Sequence, residues 1–313
     1  MRYTIGVDLG GTHLRAVRLD RDGRIHAHER VVTAATDGPA AVIAQIERLI
    51  AHMIGDIDHS EIIGVGVASP GPVDLSAGIA RQAPTIRGWF DVPLRAILIE
   101  RTGFRIELNN DGHVAALGEW RFGSGRGCQH LVYVTISTGI GGGVIMDGNL
   151  LLGRRGMAAE VGHMTIQPDG PVCCCGNHGC WEALASGTAL ALFAAQELAR
   201  GRQSLITDIA AGAPLSGRHV AAAAEQGDAL ALALMRREGE LIGIGLANLL
   251  HLYAPDRIAL GGGVIQSMAL LEPHMRRVIA ERAMPPFRDI PFQVAQLGDN
   301  AGVIGAATLV LDS

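Results

Sequence analysis

The alternation of apolar and polar positions predicts the same small unit twice along the chain. The unit is an apolar strand, a glycine-rich turn and a second apolar strand that leads into an Asp-Gly pair. It occupies residues 3–7, 8–12 and 14–19 in the first copy and residues 131–136, 137–143 and 144–146 in the second. Two copies of one hairpin unit predict duplicated α/β lobes that face each other.

The rest of the chain has the pattern of a mixed α/β protein. Apolar residues at helical spacing predict helices, and short runs of apolar residues predict strands. Helices are predicted at residues 39–53, 113–122, 187–200, 228–253, 269–282 and 300–311, and further strands at residues 62–68, 105–108 and 257–260. Residues 201–218 have the weakest pattern and predict a mobile loop or a broken helix.

These elements predict two domains. We expect a small N-terminal lobe over residues 1–118 and a large lobe over residues 119–299. The C-terminal helix, within residues 300–313, is predicted to pack back on the first lobe. With 313 residues and 48% hydrophobic content, the chain is long enough to bury two sizeable cores.

The charge of the chain argues against nucleic acid as a partner. The formal net charge is -5, and no run of Lys or Arg supplies the basic surface that such binding requires. Residues 241–253 could be taken for a membrane span, but Asn248 and His251 interrupt them and the segment is shorter than the roughly 20 residues that a bilayer needs. A strand begins almost at once, without the pattern of a signal peptide. We expect a cytoplasmic protein with no membrane partner.

Four of the five cysteines crowd into residues 173–180, and Cys128 stands alone. This spacing is too tight for a disulfide framework and favours metal binding in a reducing compartment. Three thiolates and one imidazole form a complete tetrahedral zinc set, which the chain offers in His163, Cys173, Cys175 and Cys180. Because no coordination position stays open for water, such a zinc ion is structural.

Two residues leave alternatives open for this ligand set. Cys174 adjoins both Cys173 and Cys175, and ligation through Cys174 would leave another thiol free. His178 is a second candidate histidine, although it lies in a predicted turn. A group of free thiols without metal is the competing interpretation of the whole cluster.

Both glycine turns have the chemistry of phosphate loops. The first offers Asp8, Gly10, Gly11 and Thr12, and the second offers Thr138 and Gly139. Glycines let backbone amides approach a phosphate closely, the hydroxyl adds a donor, and Asp8 could hold Mg²⁺ through water. One such loop alone favours an ordinary hairpin turn over a phosphate loop. Two loops with the same flanking strands favour a polyphosphate held between them.

A third glycine surface follows the strand predicted at residues 257–260. Gly261, Gly262 and Gly263 suit a flat adenine–ribose group, and a close helix–strand contact is an equal alternative. The chain has neither a G-x-x-x-x-G-K-[ST] motif nor a G-x-G-x-x-G fingerprint after its first strand. These absences argue against a Walker-type NTPase and a Rossmann dehydrogenase.

Asp111 follows a short predicted strand and precedes a helix, where a carboxylate can project from a sheet edge. Accepting a hydroxyl proton is the role of an aspartate in phosphoryl transfer to an alcohol. Capping of the helix by Asn110 or Asp111 is an equally good interpretation in isolation. Glu160 and Glu182 bracket the cysteine cluster and offer acceptors for sugar hydroxyls.

These motifs resemble those of the ROK family (repressors, open reading frames and kinases), and the resemblance covers essentially the whole chain. The matching segments are D-x-G-G-T at residues 8–12, the sugar-lobe turn at 69–72, Asn-Asp at 110–111, the second phosphate loop at 137–143, E-x-G-H at 160–163, C-x-C-G-x-x-G-C-x-E at 173–182 and the adenosine turn at 260–264. The resemblance implies a two-lobed, actin-like (ribonuclease-H-like) ATPase fold with a central cleft.

The function implied by the resemblance is ATP- and Mg²⁺-dependent phosphorylation of a hexose, with a structural Zn²⁺. A glucokinase of carbohydrate metabolism and glycolysis is our first expectation. Asp111 would deprotonate the acceptor hydroxyl. The sugar would be bound by Asn110, Asp111, Glu160, His163, Glu182 and Gly71, and the nucleotide by the three glycine segments. Because family members commonly dimerise, a homodimer is expected.

Two departures from the family pattern bear on these expectations. Cys174 replaces the usual small residue inside C-x-C, and Thr85 stands where many relatives have asparagine. The second leaves the sugar open, so N-acetylmannosamine, N-acetylglucosamine, fructose and allose are alternatives to glucose. A sugar-responsive repressor is less expected, because Asp111 is retained and Asp8 lies too near the start for a preceding DNA-binding domain. A bare zinc-binding interaction module would not need paired phosphate loops.

Overall fold

A computed structural model describes residues 2–83 and 85–311 of the chain. Pro84, in the segment around Thr85, and residues 312 and 313 of the predicted C-terminal helix lie outside the described residues. The chain forms two compact units. Unit 1 comprises Met1–Gln129, Gly143–Ala159 and Gln296–Ser313, and unit 2 comprises His130–Gly142 and Glu160–Ala295. The domain boundaries expected at residues 118 and 299 stay a prediction.

The strands and helices follow the mixed α/β order expected from the sequence. The strands are β1 (Tyr3–Leu9), β2 (His13–Asp20), β3 (Ile25–Val32), β4 (Ile62–Ser69), β5 (Val73–Asp74), β6 (Ile79–Gln82), β7 (Phe90–Val92), β8 (Ile106–Asn110), β9 (Leu131–Ile136), β10 (Ile140–Met146), β11 (Asn149–Leu150), β12 (Arg257–Gly261) and β13 (Phe292–Val294). The helices are α1 (Pro39–Ile54), α2 (Leu94–Thr102), α3 (Asp111–Phe122), α4 (Trp181–Ala185), α5 (Gly187–Ala199), α6 (Ile206–Ala210), α7 (Gly217–Glu225), α8 (Ala229–Tyr253), α9 (Met268–Arg282) and α10 (Ala301–Thr308).

Unit 1 contains a five-stranded sheet with the order β3-β2-β1-β4-β8. The first three strands are antiparallel neighbours, whereas β1, β4 and β8 run parallel. Alternate residues of β1 enter the core, where Ile5, Val7 and Leu9 are at most 1% exposed. The carboxyl ends of three parallel strands therefore meet at one edge of this sheet.

Helix α10 packs on the opposite face of β1 and β4 because glycines leave room for its backbone. A Cβ atom at Gly6 would collide with the carbonyl oxygen of Val303, and one at Gly66 would collide with that of Ala306. The C-terminal helix thus lies on the first sheet, within unit 1.

A second five-stranded sheet has the order β11-β10-β9-β12-β13. Strand β12 runs parallel to β9 on one side and to β13 on the other. The strand order repeats that of the first sheet, with the hairpin strands followed by two parallel strands. This repeat is the architecture that the duplicated hairpin pattern predicts.

Local differences from the predicted elements have simple causes. The weak segment at residues 201–218 is a broken helix, with α6 ending at Ala210 and α7 beginning at Gly217. Helix α3 begins earlier than residue 113, because the Asn110 side chain accepts a hydrogen bond from the Gly112 backbone N–H and caps it. Among the described residues, no helix combines the length and apolar character that a membrane span requires.

One buried carboxyl group weakens the core of unit 2. Glu238 in α8 is 0% exposed, and neither carboxylate oxygen has a hydrogen-bond partner among the described residues. Burial raises the pKa of Glu238 to about 8, against the opposing effect of Arg237. In the folded state the Glu238 carboxyl group must therefore either take up a proton or remain as a buried charge without solvation, and both cost free energy.

We expect Glu238→Leu to stabilise the protein, more so at pH 8 than at pH 5. The pKa is about 8 when folded against 4.5 for an ordinary glutamate, so between these values the folded state binds one proton more than the unfolded state. Stability of the wild type thus falls as pH rises through this window and levels off above it. The expected gain at pH 8 is about 2–4 kcal/mol, measured by urea unfolding at both pH values. Glu100→Leu, at an exposed helix position, is the control; equal gains at both pH values would contradict the prediction.

Candidate functional site

In unit 1, the candidate site residues lie where β1, β4 and β8 end at one sheet edge. Asp8 of β1 is in register with Ala68 of β4, and Ser69 of β4 is in register with Asn110 of β8. Because parallel strands present their carboxyl ends together, residues far apart in sequence converge here. The first phosphate loop, the sugar-lobe turn and the Asn-Asp pair therefore belong to one site in this unit.

Asn110 and Asp111 are held by the start of α3. The Asn110 side chain donates from Nδ2 to the Gly71 carbonyl oxygen at 3.0 Å, while its Oδ1 accepts from the Gly112 N–H at 2.8 Å. Gly71 has a φ of 74°, which favours glycine. Asp111 is exposed, and its Oδ1 also accepts from the Gly112 N–H at 2.7 Å. Asn110 is thus the helix cap, and the Asp111 carboxylate is oriented by the first turn of the helix.

The first phosphate loop is tight and closely packed. The Gly10 N–H donates to the His13 carbonyl oxygen at 3.0 Å, and the Thr33 hydroxyl donates to the Gly10 carbonyl oxygen at 2.7 Å. A Cβ atom at Gly11 would collide with the side chain of Thr85. Thr85, which departs from the family pattern, therefore packs directly against this loop.

Asp8, at the entrance to this loop, is a half-buried carboxylate. Its Oδ2 accepts a hydrogen bond from Arg15 Nη1 at 3.4 Å. Desolvation by the surrounding protein raises the pKa of Asp8, whereas the Arg15 guanidinium opposes the increase. A hard cation would favour the ionised form, and carboxylate oxygen is the donor that Mg²⁺ prefers. The Asp8 carboxylate therefore fits the role of a ligand to the expected Mg²⁺.

In unit 2, the second phosphate loop is held by the segment that begins α5. The Ser137 carbonyl oxygen accepts from the Gly187 N–H, and the Thr138 carbonyl oxygen accepts from the Thr188 hydroxyl, both at 2.7 Å. Glu182 approaches the same loop, where its Oε2 accepts from the Ile140 N–H at 2.9 Å. The loop backbone and the Glu182 carboxylate are thereby ordered together.

A cavity of about 720 Å³ opens beside this loop, entirely within unit 2. Its lining includes Thr138, Gly187, Ser216, Gly217, Gly263 and Gln266. The third glycine segment shapes the turn next to it: Gly262 has a φ of 91°, and a Cβ atom there would collide with the Ile136 carbonyl oxygen. Small residues and hydroxyls around a cavity of this size suit a nucleoside.

The four predicted metal ligands lie together in unit 2. The ligand atoms of His163, Cys173, Cys175 and Cys180 are all within 4.8 Å of one another. Cys173 Sγ is 3.6 Å from His163 Nδ1, and Cys175 Sγ is 3.7 Å from Cys180 Sγ. A tetrahedral zinc ion with its usual bond lengths requires roughly 3.5 Å for sulfur–nitrogen pairs and roughly 3.8 Å for sulfur–sulfur pairs. The geometry of the donor set fits zinc.

The electrostatics of the cluster also fit a bound cation. Burial and the neighbouring thiols raise the pKa of Cys180 to about 12, while the Asn177 backbone N–H lowers the pKa of Cys175. The set therefore takes up its full thiolate charge only with a compensating cation. His178, the alternative histidine, instead lies with its Nδ1 3.3 Å from the Gly170 carbonyl oxygen.

Cys174 and the two flanking carboxylates complete this region. The Cys174 thiol donates to Glu182 Oε1 at 3.4 Å, and desolvation together with this carboxylate raises the pKa of Cys174 to about 12. Partial desolvation raises the pKa of Glu160, with Glu182 adding to the increase and His163 opposing it, although the Glu160 side chain is still exposed. Both glutamates thus lie close to the metal cluster.

The predicted site residues fall into two sets, one in each unit. Unit 1 holds Asp8, Gly10, Gly11, Thr12, Gly71, Asn110 and Asp111, and unit 2 holds Thr138, Gly139, Glu160, His163, Glu182, Gly261, Gly262, Gly263 and the three cysteines. Sequence reasoning missed Thr188, Arg15 and the buried His113. The Ser-Gly-Thr sequence at the start of α5 could have indicated Thr188, since such residues favour a helix start.

The buried His113 ring contacts the residues that precede α3. Its Nδ1 lies 3.0 Å from Asn109 Oδ1, and its Nε2 lies 2.9 Å from the Ala158 carbonyl oxygen, all within unit 1. Asn109 Oδ1 in turn accepts from the Asn110 N–H at 2.8 Å. Burial lowers the pKa of His113. The ring therefore helps to position the backbone from which Asn110 and Asp111 project.

Comparison with known proteins decides the family. The ROK family profile matches residues 4–313. The chain belongs to the ROK family. The resemblance found in the motifs is thereby confirmed, as are the α/β class and the actin-like, ribonuclease-H-like fold.

Relatives within the ROK family include both kinases and regulators. A glucokinase of Thermotoga maritima is 38% identical over 98% of this chain and 96% of its own length. A ROK glucokinase from Streptomyces griseus, in complex with glucose and AMPPNP, is 34% identical with a TM-score of 0.84 over 99% of this chain and 100% of that one. A xylose repressor of Bacillus subtilis is 29% identical over 99% of this chain and 77% of its own length. The glucokinases are the more similar of these relatives.

Proposed function

We propose that this protein is an ATP-dependent glucokinase, which transfers the γ-phosphoryl group of ATP to a hydroxyl of glucose. The full-length similarity to the Streptomyces griseus enzyme, whose structure contains glucose and AMPPNP, is the observation that carries this proposal. The chain retains the groups that the reaction needs: a carboxylate at a sheet edge, two glycine loops and a nucleoside-sized cavity.

Asp111 is the proposed general base. Its carboxylate is exposed at the start of α3, oriented by the Gly112 N–H, and can accept the proton of a sugar hydroxyl as that oxygen attacks phosphorus. Asn110 donates its amide to Gly71 and so holds the sugar-lobe turn against the same helix start. We propose that Gly71, Asn110, Glu160, His163 and Glu182 bind or orient the sugar, with the acceptors supplied by the two glutamates.

The nucleotide is proposed to bind through backbone groups. The cavity beside Thr138 and Gly263 would receive the nucleoside, and Gly139 would receive phosphate oxygens at backbone amides. Gly10, Gly11 and Thr12 would do the same for the terminal phosphate. When bound, Mg²⁺ would neutralise charge on the phosphates, and Asp8 would hold it through water.

Zinc is proposed to be structural. With three thiolates and His163 as ligands, it would keep no open position for a reacting water, so its contribution is to order the segment that carries Glu160 and Glu182. A cytoplasmic location is inferred because such thiolates need a reducing compartment. A homodimer is inferred from the family resemblance, and light scattering at twice the mass of 32.8 kDa is the expected result.

The test of the function is release of ADP from MgATP across a sugar panel. We expect saturable turnover with glucose, and kcat/KM at least about 10-fold lower with N-acetylmannosamine, N-acetylglucosamine, fructose and allose, because a site built for particular hydroxyls rejects sugars that leave its polar groups unpaired. A higher kcat/KM with another sugar of the panel would mean that the protein is a kinase for that sugar and not a glucokinase. If folded protein with zinc bound released no ADP with any sugar of the panel, the kinase assignment would be refuted.

A further inference from the structure

Cys174 and Glu182 belong to a second group of metal-binding atoms beside the predicted zinc ligands. The Sγ atoms of Cys173 and Cys174 and a carboxylate oxygen of Glu182 all lie within 4.8 Å of one another. Cys173 is also one of the four predicted zinc ligands, so the two groups share one thiol. Both groups lie within unit 2. Together they offer more ligand atoms than one tetrahedral ion can use.

The distances within the second group fit a zinc ion. Cys173 Sγ is 3.9 Å from Cys174 Sγ, and Cys174 Sγ is 3.4 Å from Glu182 Oε1. Tetrahedral zinc with its usual bond lengths separates two sulfur ligands by roughly 3.8 Å, and sulfur from oxygen by roughly 3.5 Å. The separations observed here agree with both values to within about 0.1 Å. Because a thiolate can bridge two metal ions, Cys173 can serve this group without leaving the first.

The second group is open to solvent, unlike the closed set of four ligands. Cys173 is buried, Glu182 is half-buried and Cys174 is exposed. Three protein ligands leave a fourth position for water, which is the pattern of an open zinc site. An ion held here exchanges with solvent on the side of Cys174. Such a site fills only when free metal ion is supplied.

The charge of this region favours a second cation. A Zn²⁺ ion with three thiolates and a neutral imidazole leaves one negative charge uncompensated, and the Glu182 carboxylate adds another. Within the described part of the chain, this carboxylate accepts from the Ile140 N–H and the Cys174 thiol and has no arginine partner. A divalent ion between Cys174 and Glu182 compensates the charge, and the thiolates select zinc over Mg²⁺.

We propose that Cys173, Cys174 and Glu182 form a second, exchangeable zinc site, and that an ion bound there withdraws Glu182 from the sugar. Binding replaces the S–H bond of Cys174 with a sulfur–metal bond, and the proton passes to solvent. Glu182 Oε1 becomes a ligand, while Oε2 keeps its bond to the Ile140 N–H. The effect on the sugar rests on the proposed function, in which Glu182 accepts from a sugar hydroxyl. The metal site itself does not.

The first test counts zinc by elemental analysis after dialysis against buffered free Zn²⁺ at about 10 µM. Wild type is expected to hold about one ion per chain more than Cys174→Ser, whereas dialysis without added zinc should leave about one ion per chain in both proteins. Serine keeps a hydroxyl that can donate to Glu182, but it does not supply a thiolate. Cys128→Ser makes the same change in unit 1 and should retain the wild-type count.

The second test measures the KM for glucose with and without the same free Zn²⁺. An ion that competes with the sugar raises KM about 10-fold at about 10 µM if its Kd is on the order of 1 µM, and kcat should stay within about twofold. In Cys174→Ser, added zinc should change KM by less than about twofold, whereas Cys128→Ser should respond as wild type does. Because the coupling is reciprocal, saturating glucose should displace the second ion from wild type.

Each outcome bears on one part of the proposal. Equal zinc counts in wild type and Cys174→Ser would overturn the second site. An additional ion that leaves the KM for glucose unchanged, or an equal rise of KM in Cys174→Ser, would overturn the withdrawal of Glu182. A wild-type protein that binds the additional ion but releases no ADP with any sugar would confirm the metal site and remove the kinase proposal, together with the effect on the sugar.

Discussion

Replacing Asp111 with asparagine is expected to lower kcat for sugar phosphorylation by about 10³-fold. The amide has nearly the same shape as the carboxylate and can still accept from the Gly112 N–H through its oxygen, so the start of α3 should remain intact. What it cannot do is accept the proton of the attacking hydroxyl. Stopped assays of ADP formation, with KM for glucose and for MgATP measured separately, test the prediction; both KM values should stay within about threefold.

Asp58→Asn is the matched control for this substitution. Asp58 caps a short helical turn, and its Oδ1 accepts from the Ser60 N–H at 2.8 Å, much as the Asp111 Oδ1 accepts from the Gly112 N–H at the first position of α3. The control therefore makes the same chemical change at a helix start, away from the sheet edge that carries the site. We expect full activity. If Asp111→Asn retained more than a tenth of wild-type kcat, another group would be the base.

The sequence predicted those parts of the fold whose pattern is local. The two hairpins, β1–β2 and β9–β10, were predicted because apolar strands and glycine turns are consecutive along the chain. Strand β3 was not, because its sequence IHAHERVV is largely exposed and carries charged and histidine side chains along its length. Its place is decided by pairing with β2, and no periodicity in β3 alone shows that pairing.

In the candidate site, too, the local features were predicted from the sequence and the contacts between distant segments were not. The metal set was predicted because Cys173, Cys175 and Cys180 are close in sequence, and the structure brings their ligand atoms together with that of His163. The packing of Thr85 against Gly11 could not be predicted, since it depends on how a distant loop folds back. The contact between Arg15 and Asp8 depends on the register of β1 against β2, and a one-residue shift would abolish it.

Loss of the metal set is expected to have the largest effect on stability. Cys180 is fully buried and lies immediately before α4, whose first residues are the buried Trp181 and then Glu182. In Cys180→Ala we expect less than about a tenth of one zinc per chain by elemental analysis. The unfolding free energy should fall by at least about 4 kcal/mol, which lowers Tm by roughly 6 °C.

The consequence for function follows from the position of Glu182 two residues after Cys180. If zinc orders this turn, its loss releases the carboxylate that the Ile140 N–H and the Cys174 thiol now orient. The KM for glucose should therefore rise by about 100-fold, with a smaller change in the KM for MgATP. Cys174→Ala is the control, because the Cys174 thiol donates to Glu182 and is not one of the four clustered ligand atoms. It should keep zinc and Tm, and loss of zinc in this control would mean that Cys174 belongs to the ligand set. A zinc-free Cys180→Ala with wild-type Tm would mean that the metal does not order this segment.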